Sequence, residues 1–354
     1  MTRYEERLEA DLSRIRHRLK KMSRAVANAI DDAVQSILNR NPELASDTVL
    51  GDLPINRRAR ELDHLCHLFV ARHLPSAGHL RFTTSVMRLS KTLERLGDYA
   101  ATMSREVHQM SGKVPEVISD DIVMLADQAR NVLEPALRSF VEEDTDLARS
   151  TRLTASQYGT TFDRVFKHLT RAGEAKEVPI AELFALLTIC NRLERVIHQA
   201  KNIAEQTIFA VTGQQKEEKT FDVLFLGLRN DCASLLAEFY GQRAYPEAGS
   251  FTSAGWESVE AISDDVLEFA DGKGLELREA ESRSFEDVKR RLSDFEIVID
   301  LTGEARDNIR KIPFHTTLLV WNLDRSGGLE SIYQDLVERM AELMETLRGE
   351  EAEG

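Results

Sequence analysis

The sequence predicts two fold classes in one chain. These are an all-α N-terminal part built as two three-helix-bundle repeats, and a C-terminal α/β domain with a parallel sheet. Three observations carry the expectation. The octet Leu93-Glu94-Arg95-Leu96-Gly97-Asp98-Tyr99-Ala100 returns as Leu193-Glu194-Arg195-Val196-Ile197-His198-Gln199-Ala200, with Leu, Glu, Arg and Ala in register at an offset of 100. Self-similarity on that scale marks one structural unit copied once. Leu8, Leu12, Ile15, Leu19, Met22, Val26 and Ala29 follow each other at steps of four and three, the apolar stripe of a long bundled helix. Beyond residue 220, short apolar runs alternate with helical-period stretches, as they do in a parallel sheet covered on both faces.

The first helix is expected to run to Asn39-Arg40-Asn41-Pro42. Asn41-Pro42-Glu43-Leu44-Ala45 and Asp144-Thr145-Asp146-Leu147-Ala148 read as matching N-capped turns at a similar offset, so the copies run in step. A second helix is expected at 54–73, broken by Leu74-Pro75-Ser76-Ala77-Gly78, and a third at 77–111. The second copy is expected as helices at 117–142, 144–171 and 179–211. The boundaries are set at 1–113 and 114–212 for the repeats, 213–220 for a polar linker, and 221–349 for the last domain. In that domain Phe221–Leu226, Phe295–Leu301 and Thr316–Trp321 read as buried strands. Helices are expected at 233–240, 256–272, 283–292 and 328–347.

Charge is unevenly spread. Of the 46 Lys and Arg and 60 Asp and Glu, 30 and 29 fall in residues 1–215, leaving 16 and 31 for 216–354. The acidic last third is a poor surface for nucleic acid. No apolar run is long enough to span a membrane, and the charged N-terminus does not read as a secretory signal. Cys66, Cys190 and Cys232 are dispersed and form no CxxC pair. A reducing cytoplasm is therefore the expected location.

The repeat, the segment Leu74-Pro75-Ser76-Ala77-Gly78-His79-Leu80-Arg81-Phe82, and the helix carrying Glu194-Arg195 through Asn202-Ile203-Ala204-Glu205 resemble the PhoU family of phosphate-uptake regulators. The resemblance covers residues 1–214. The turn is similar to the family's P-x-A-x-D-L-R, with His79 where Asp is usual. It implies metal clusters at E/DxxxD motifs, here Glu94 with Asp98 and, with His in the acidic slot, Glu194 with His198. Physically, two carboxylates four apart on a helix repel by roughly 0.2–0.5 kcal/mol, which a cation relieves. Iron or another divalent metal suits such ligands. Asp52-Leu53-Pro54-Ile55-Asn56 resembles a weakened copy of the motif. The alternative is that Glu94 and Asp98 simply pair with Arg95 or Arg60.

The last third resembles the low-molecular-weight protein tyrosine phosphatase and arsenate reductase family, a flavodoxin-like fold whose loop C-x5-R-S cradles an oxyanion. Asn230, Cys232, Ser234, Ala237 and Glu238 match positions common in that family. Ser253-Ala254-Gly255 matches another such segment. Gly227 stands where the nucleophilic Cys would be and Ala233 where the Arg would be, and Asp231 adds a negative charge inside the loop. Arg325 and Ser326 replace the Asp-Pro of the general-acid loop, with Asp324 one residue early. Without thiolate and guanidinium neither a phosphoenzyme nor a clamp on the transferring group can form. The expectation is no enzyme activity and a degenerate phosphate loop at Gly227, Asn230, Asp231, Cys232, Ala233 and Ser234.

The resemblance implies a regulator touching a phosphate ABC transporter ATPase and a sensor kinase, peripheral to the membrane through those partners, with a homodimer left open. The alternatives are an active phosphatase or arsenate reductase, and a metal-storage or metal-sensing protein.

Overall fold

The computed structural model describes residues 2–110, 114–158, 161–216, 219–257, 261–313 and 315–348, residue 163 by its backbone alone. The chain divides into two compact units, Met1–Lys216 and Glu217–Gly354.

The first unit is all helix: α1 Arg3–Leu38, α2 Pro42–His73, α3 Ala77–Val107, α4 Glu116–Glu142, α5 Thr145–Gln157, α6 Thr161–Glu174 and α7 Ile180–Thr212. The apolar stripe on α1 is buried from Leu12 to Val26 and continues through Ile30, Ala33 and Ile37, following a straight helix's 3.6-residue period. Local chemistry sets the helix starts. Thr2 and Glu5 form a capping box, Asn41 Oδ1 accepts from the Glu43 and Leu44 N–H groups, and Asp144 Oδ1 accepts from that of Leu147.

Two expectations are corrected. α2 begins at Pro42 and runs through Pro54 rather than starting there. The missing rung at Pro54 costs about 3 kcal/mol. It is offset because Ala45 and Thr48 before it and Ile55, Ala59, Leu62, Cys66 and Phe69 after it are all buried. Among the described residues, the stretch expected as one helix at 144–171 is held by two helical segments, α5 and α6. Residues 159 and 160 lie outside the described residues.

One apolar core runs through both repeats, from Leu12 to Ala210. α3 packs along α7 at their seam. Gln206 Nε2 donates to Ser85 Oγ at 2.6 Å, the Arg192 guanidinium lies 5.3 Å from the Tyr99 ring, and Phe82 stacks on Phe140 at 6.2 Å. Arg130 of α4 reaches Asp31 of α1 at 3.0 Å.

The second unit is α/β. It comprises β1 Phe221–Arg229, α8 Ala233–Ala244, β2 Gly249–Glu257, α9 Asp264–Gly272, α10 Phe285–Val288, β3 Ile297–Asp300, α11 Ala305–Asn308, β4 Thr317–Val320 and α12 Leu329–Arg348. The strands form one parallel sheet in the order β2-β1-β3-β4. Alternate residues of the inner strands feed separate cores. Val223, Phe225, Ile297 and Ile299 pack with α8, α9 and α12, while Leu224, Leu226 and Val298 pack with α10, α11 and the 3-10 turn at Lys289–Asp294. The parallel α/β class is as expected, but the sequence reading omitted β2. It also drew the helix at 256–272 too long, since α9 begins only at Asp264. Among the described residues, no helix is long and apolar enough to cross a membrane.

Candidate functional site

In the first repeat, packing of α2 on α3 brings Asp52 and Asn56 beside Glu94 and Asp98. Asp52 is buried, at 9% exposure. Burial raises its carboxyl above the usual range first, and the charges of Asp98 and Glu94 add to the rise. Asn56 and Arg105 oppose it. Asn56 Nδ2 donates to Asp52 Oδ2 at 2.9 Å. Asp52 Oδ1 and Asn56 Oδ1 are buried without a hydrogen-bond partner. Gly97 makes the approach possible, because a Cβ there would lie 2.9 Å from Asp52 Oδ1 and 3.1 Å from Ile55 Cγ2. Glu94 pairs with Lys91 at 3.1 Å, not with Arg95 or Arg60, and Asp98 is exposed.

Among the described residues, no three His, Cys, Asp or Glu side chains are placed to hold a metal ion together. The orphaned oxygens of Asp52 and Asn56 fit a hard cation, but the full ligand set is not drawn together there. Glu194 is buried, at 4% exposure, and His198 half-buried.

The second repeat holds a buried acid that sequence reasoning missed. Asp121 on α4 meets His168 Nδ1 on α6 at 2.7 Å, with Arg164 at 4.0 Å. Burial, with the Asp121 charge behind it, pushes the Cys190 thiol up. No local motif signals this pair, whose members lie 47 positions apart.

In the second unit, β1 delivers the chain into the loop at 227–234 and α8 carries it away. A buried polar knot holds the loop. Asn230, with 0% exposure, donates through Nδ2 to Ser234 Oγ at 3.0 Å and Ser253 Oγ at 2.7 Å. Its Oδ1 accepts from the Arg283 N–H at 2.8 Å. Glu238, at 3% exposure, accepts from the Ser253 N–H at 2.9 Å, from Ser253 Oγ at 2.5 Å, and from Arg283 Nη1 at 2.9 Å. Arg283 and its link to Glu238 also escaped sequence reasoning, because the contact spans 45 residues.

The loop opens on a cavity of about 260 Å3 lined by Gly227, Asp231, Cys232, Ala233, Ser234 and Arg325, among others. At Gly227 a Cβ would come 2.9 Å from both Arg229 O and Ser234 Oγ, so the neighbours have closed over the space a side chain would need. Burial pushes the Cys232 thiol up to about 11. The Asp231 charge adds to the rise, while Arg325 and the Ala233 N–H oppose it. At neutral pH this is a thiol, not a nucleophile. Asp324 caps its own turn, accepting from the Ser326 N–H at 2.9 Å and Ser326 Oγ at 3.0 Å. Those bonds hold its carboxyl below the usual range, where a proton donor must stay protonated.

The sequence pattern of the PhoU domain matches residues 19–107 and 122–207. A "Phosphate-specific transport system accessory protein PhoU homolog" of Pseudomonas putida is 30% identical over 236 residues, covering 65% of this chain and 88% of that protein. The crystal structure of PhoU from Pseudomonas aeruginosa superposes with a TM-score of 0.53 at 30% identity, covering 58% of this chain and 99% of that one. The phosphate transport system regulatory protein PhoU from Streptococcus pneumoniae, at 21% identity and a TM-score of 0.55, shares the fold over 59% of this chain and 99% of its own. With both copies of the repeat matched and nearly the whole of a 30%-identical relative covered, this chain belongs to the PhoU family.

Proposed function

We propose that this chain is a PhoU-type accessory protein of a phosphate-specific ABC transporter. It acts from the cytoplasmic side through contacts with the transporter ATPase and a sensor kinase. The observation that carries this is the family match across both repeats, which share one core and so present one rigid helical surface. The second unit serves as a docking or sensing module without catalysis. Three features support that reading: a glycine with no room for a side chain at the nucleophile's position, a protonated Cys232, and an ionised Asp324. Surface plasmon resonance between the full chain and the transporter ATPase tests the first part, and no binding would refute it. Turnover of an aryl phosphate by the full chain would refute the second.

The orphaned oxygens favour a second reading, in which a divalent cation such as iron is taken first by Asp52 Oδ1 and Asn56 Oδ1, with Glu94 and Asp98 moving in to complete its shell. Elemental analysis of protein purified without chelator tests it. Metal is expected in the wild type and lost in the Glu94→Ala, Asp98→Ala double variant. A metal-free wild type would end the reading.

A further inference from the structure

At the end of the helical unit where α3 begins, a cavity of about 240 Å3 opens between the two repeats. Arg16 of α1 and Gly78, His79 and Arg81 of α3 line it from the first repeat, Glu143 and Thr207 from the second. None of the acidic motif residues described above lines it.

Three observations make it a site for an anion. The first is Arg81. Its Nε is buried without a hydrogen-bond partner, and among the described residues its guanidinium makes no hydrogen bond or ion pair. It packs beside Gly213, where a Cβ would lie 3.4 Å from Arg81 Cζ. The second is the start of α3. Helices α1, α2, α4, α5 and α7 each carry an acid in the first turn, but α3 carries none. The Ser76 side chain makes no capping bond, and His79 occupies the third helical position, where a capping-box carboxylate would sit. The first N–H groups of α3 therefore have no partner within the helix, at its positive end. The third is the charge of the lining. Glu143, the carboxylate among the lining residues, is already held by Arg16 Nη2 at 2.8 Å. Arg81 then faces only the partial negative charge of the C-terminal end of α7, beside Gly213, with no carboxylate among the lining residues left to pair it.

We propose that this cavity binds a small tetrahedral oxyanion of the phosphate or sulfate kind between Arg81 and the open N-terminus of α3. A guanidinium fork and a row of backbone N–H groups are the two donor arrays such anions take. Arg16 adds a second guanidinium to the lining. Because the lining comes from both repeats, occupancy clamps them at their seam. The inference stands apart from the transporter contacts: either can fail with the other intact.

Isothermal titration of the full chain with potassium phosphate and potassium sulfate, against potassium chloride at equal ionic strength, tests the proposal, together with thermal melts. The wild type is expected to bind saturably and to melt at a higher temperature with the oxyanion than with chloride. Arg81→Gln weakens binding by about tenfold or more, the loss of a charge-assisted pair of hydrogen bonds. His79→Asp restores a capping carboxylate, so it raises the melting temperature without anion yet weakens oxyanion binding. That pairing of effects is one that a purely structural role for the turn would not produce. It also keeps the test decisive if Arg81→Gln fails to fold. No saturable heat and no stabilisation beyond chloride would overturn the proposal. So would unchanged binding by Arg81→Gln, or a wild type blind to oxyanion in which Arg81→Gln merely lowers the melting temperature, since Arg81 would then only balance the C-terminal end of α7.

Discussion

Glu238→Ala removes the centre of the knot that holds the degenerate loop, and its cost can be worked from the contacts. The carboxylate accepts from the Ser253 N–H, Ser253 Oγ, Arg283 Nη1 and, at 3.3 Å, Gln242 Nε2. Truncation strands the buried Ser253 N–H, at about 1–3 kcal/mol, and removes a charge-assisted pair. Breaking a buried pair from one side costs about 3–5 kcal/mol. The Arg283 side chain is 41% exposed and can be rehydrated, so about 3 kcal/mol is expected. Glu238→Gln keeps the shape and one acceptor and should lose about 1–2 kcal/mol. The two tryptophans of the chain, Trp256 and Trp321, both lie in the second unit, so their fluorescence reports its unfolding separately from the helical signal of the first. With a urea slope of about 1–3 kcal/mol per molar, the Glu238→Ala fluorescence midpoint should fall by about 1–3 M. The main far-ultraviolet dichroism transition, dominated by the first unit, should stay in place. A fluorescence midpoint within about 0.2 M of wild type would refute the reasoning that this knot holds the sheet and loop together.

Three further outcomes are expected. Gly227→Cys with Ala233→Arg, which rebuilds the C-x5-R pattern on paper, should give no aryl phosphate turnover and should destabilise the second unit by about 1–3 kcal/mol, because the new Cβ meets the Arg229 carbonyl and the Ser234 hydroxyl. Fluorescence melts and a phosphatase assay check both halves. Leu74, 86% exposed, closes α2 in the left-handed region at φ 42°, so Leu74→Gly should stabilise the first unit by about 0.5–1 kcal/mol in a dichroism melt. The Cys232 thiol, raised to about 11, keeps its proton until the pH nears that value. Alkylation by iodoacetamide should therefore be slow at pH 8, where roughly one molecule in a thousand carries thiolate, and should climb steadily as the pH rises above 10. A rate already at half its maximum below pH 9 would show the thiol is not so held.

The helical architecture was legible because its signals are periodic. The Leu12-to-Val26 stripe and the octet at 93 and 193 need no tertiary knowledge. Pro54 misled because propensity argues for a helix end, while burial on both sides of it decided otherwise. β2 was illegible because Gly249-Ser250-Phe251-Thr252-Ser253-Ala254-Gly255-Trp256 has two glycines and few β-branched residues, and both its faces are partly covered, which erases alternation. At the sites, residue types were readable but company was not. Asn230, Ser234 and Glu238 stood out in the sequence, yet their dependence on Arg283 comes from the fold. Asp52 and Asn56 stood out on either side of Pro54, while their meeting with Asp98 required α2 to pass close against Gly97.

The core that runs unbroken from Leu12 to Ala210 has an evolutionary consequence. Neither copy of the repeated segment can be removed without exposing core, because the flank of α3 that meets α7 would be left wet if the other copy were deleted. Selection must preserve both halves for folding alone. The two halves are thus free to differ in chemistry, Asp98 in one and His198 at the matching place in the other, while both stay indispensable to the core.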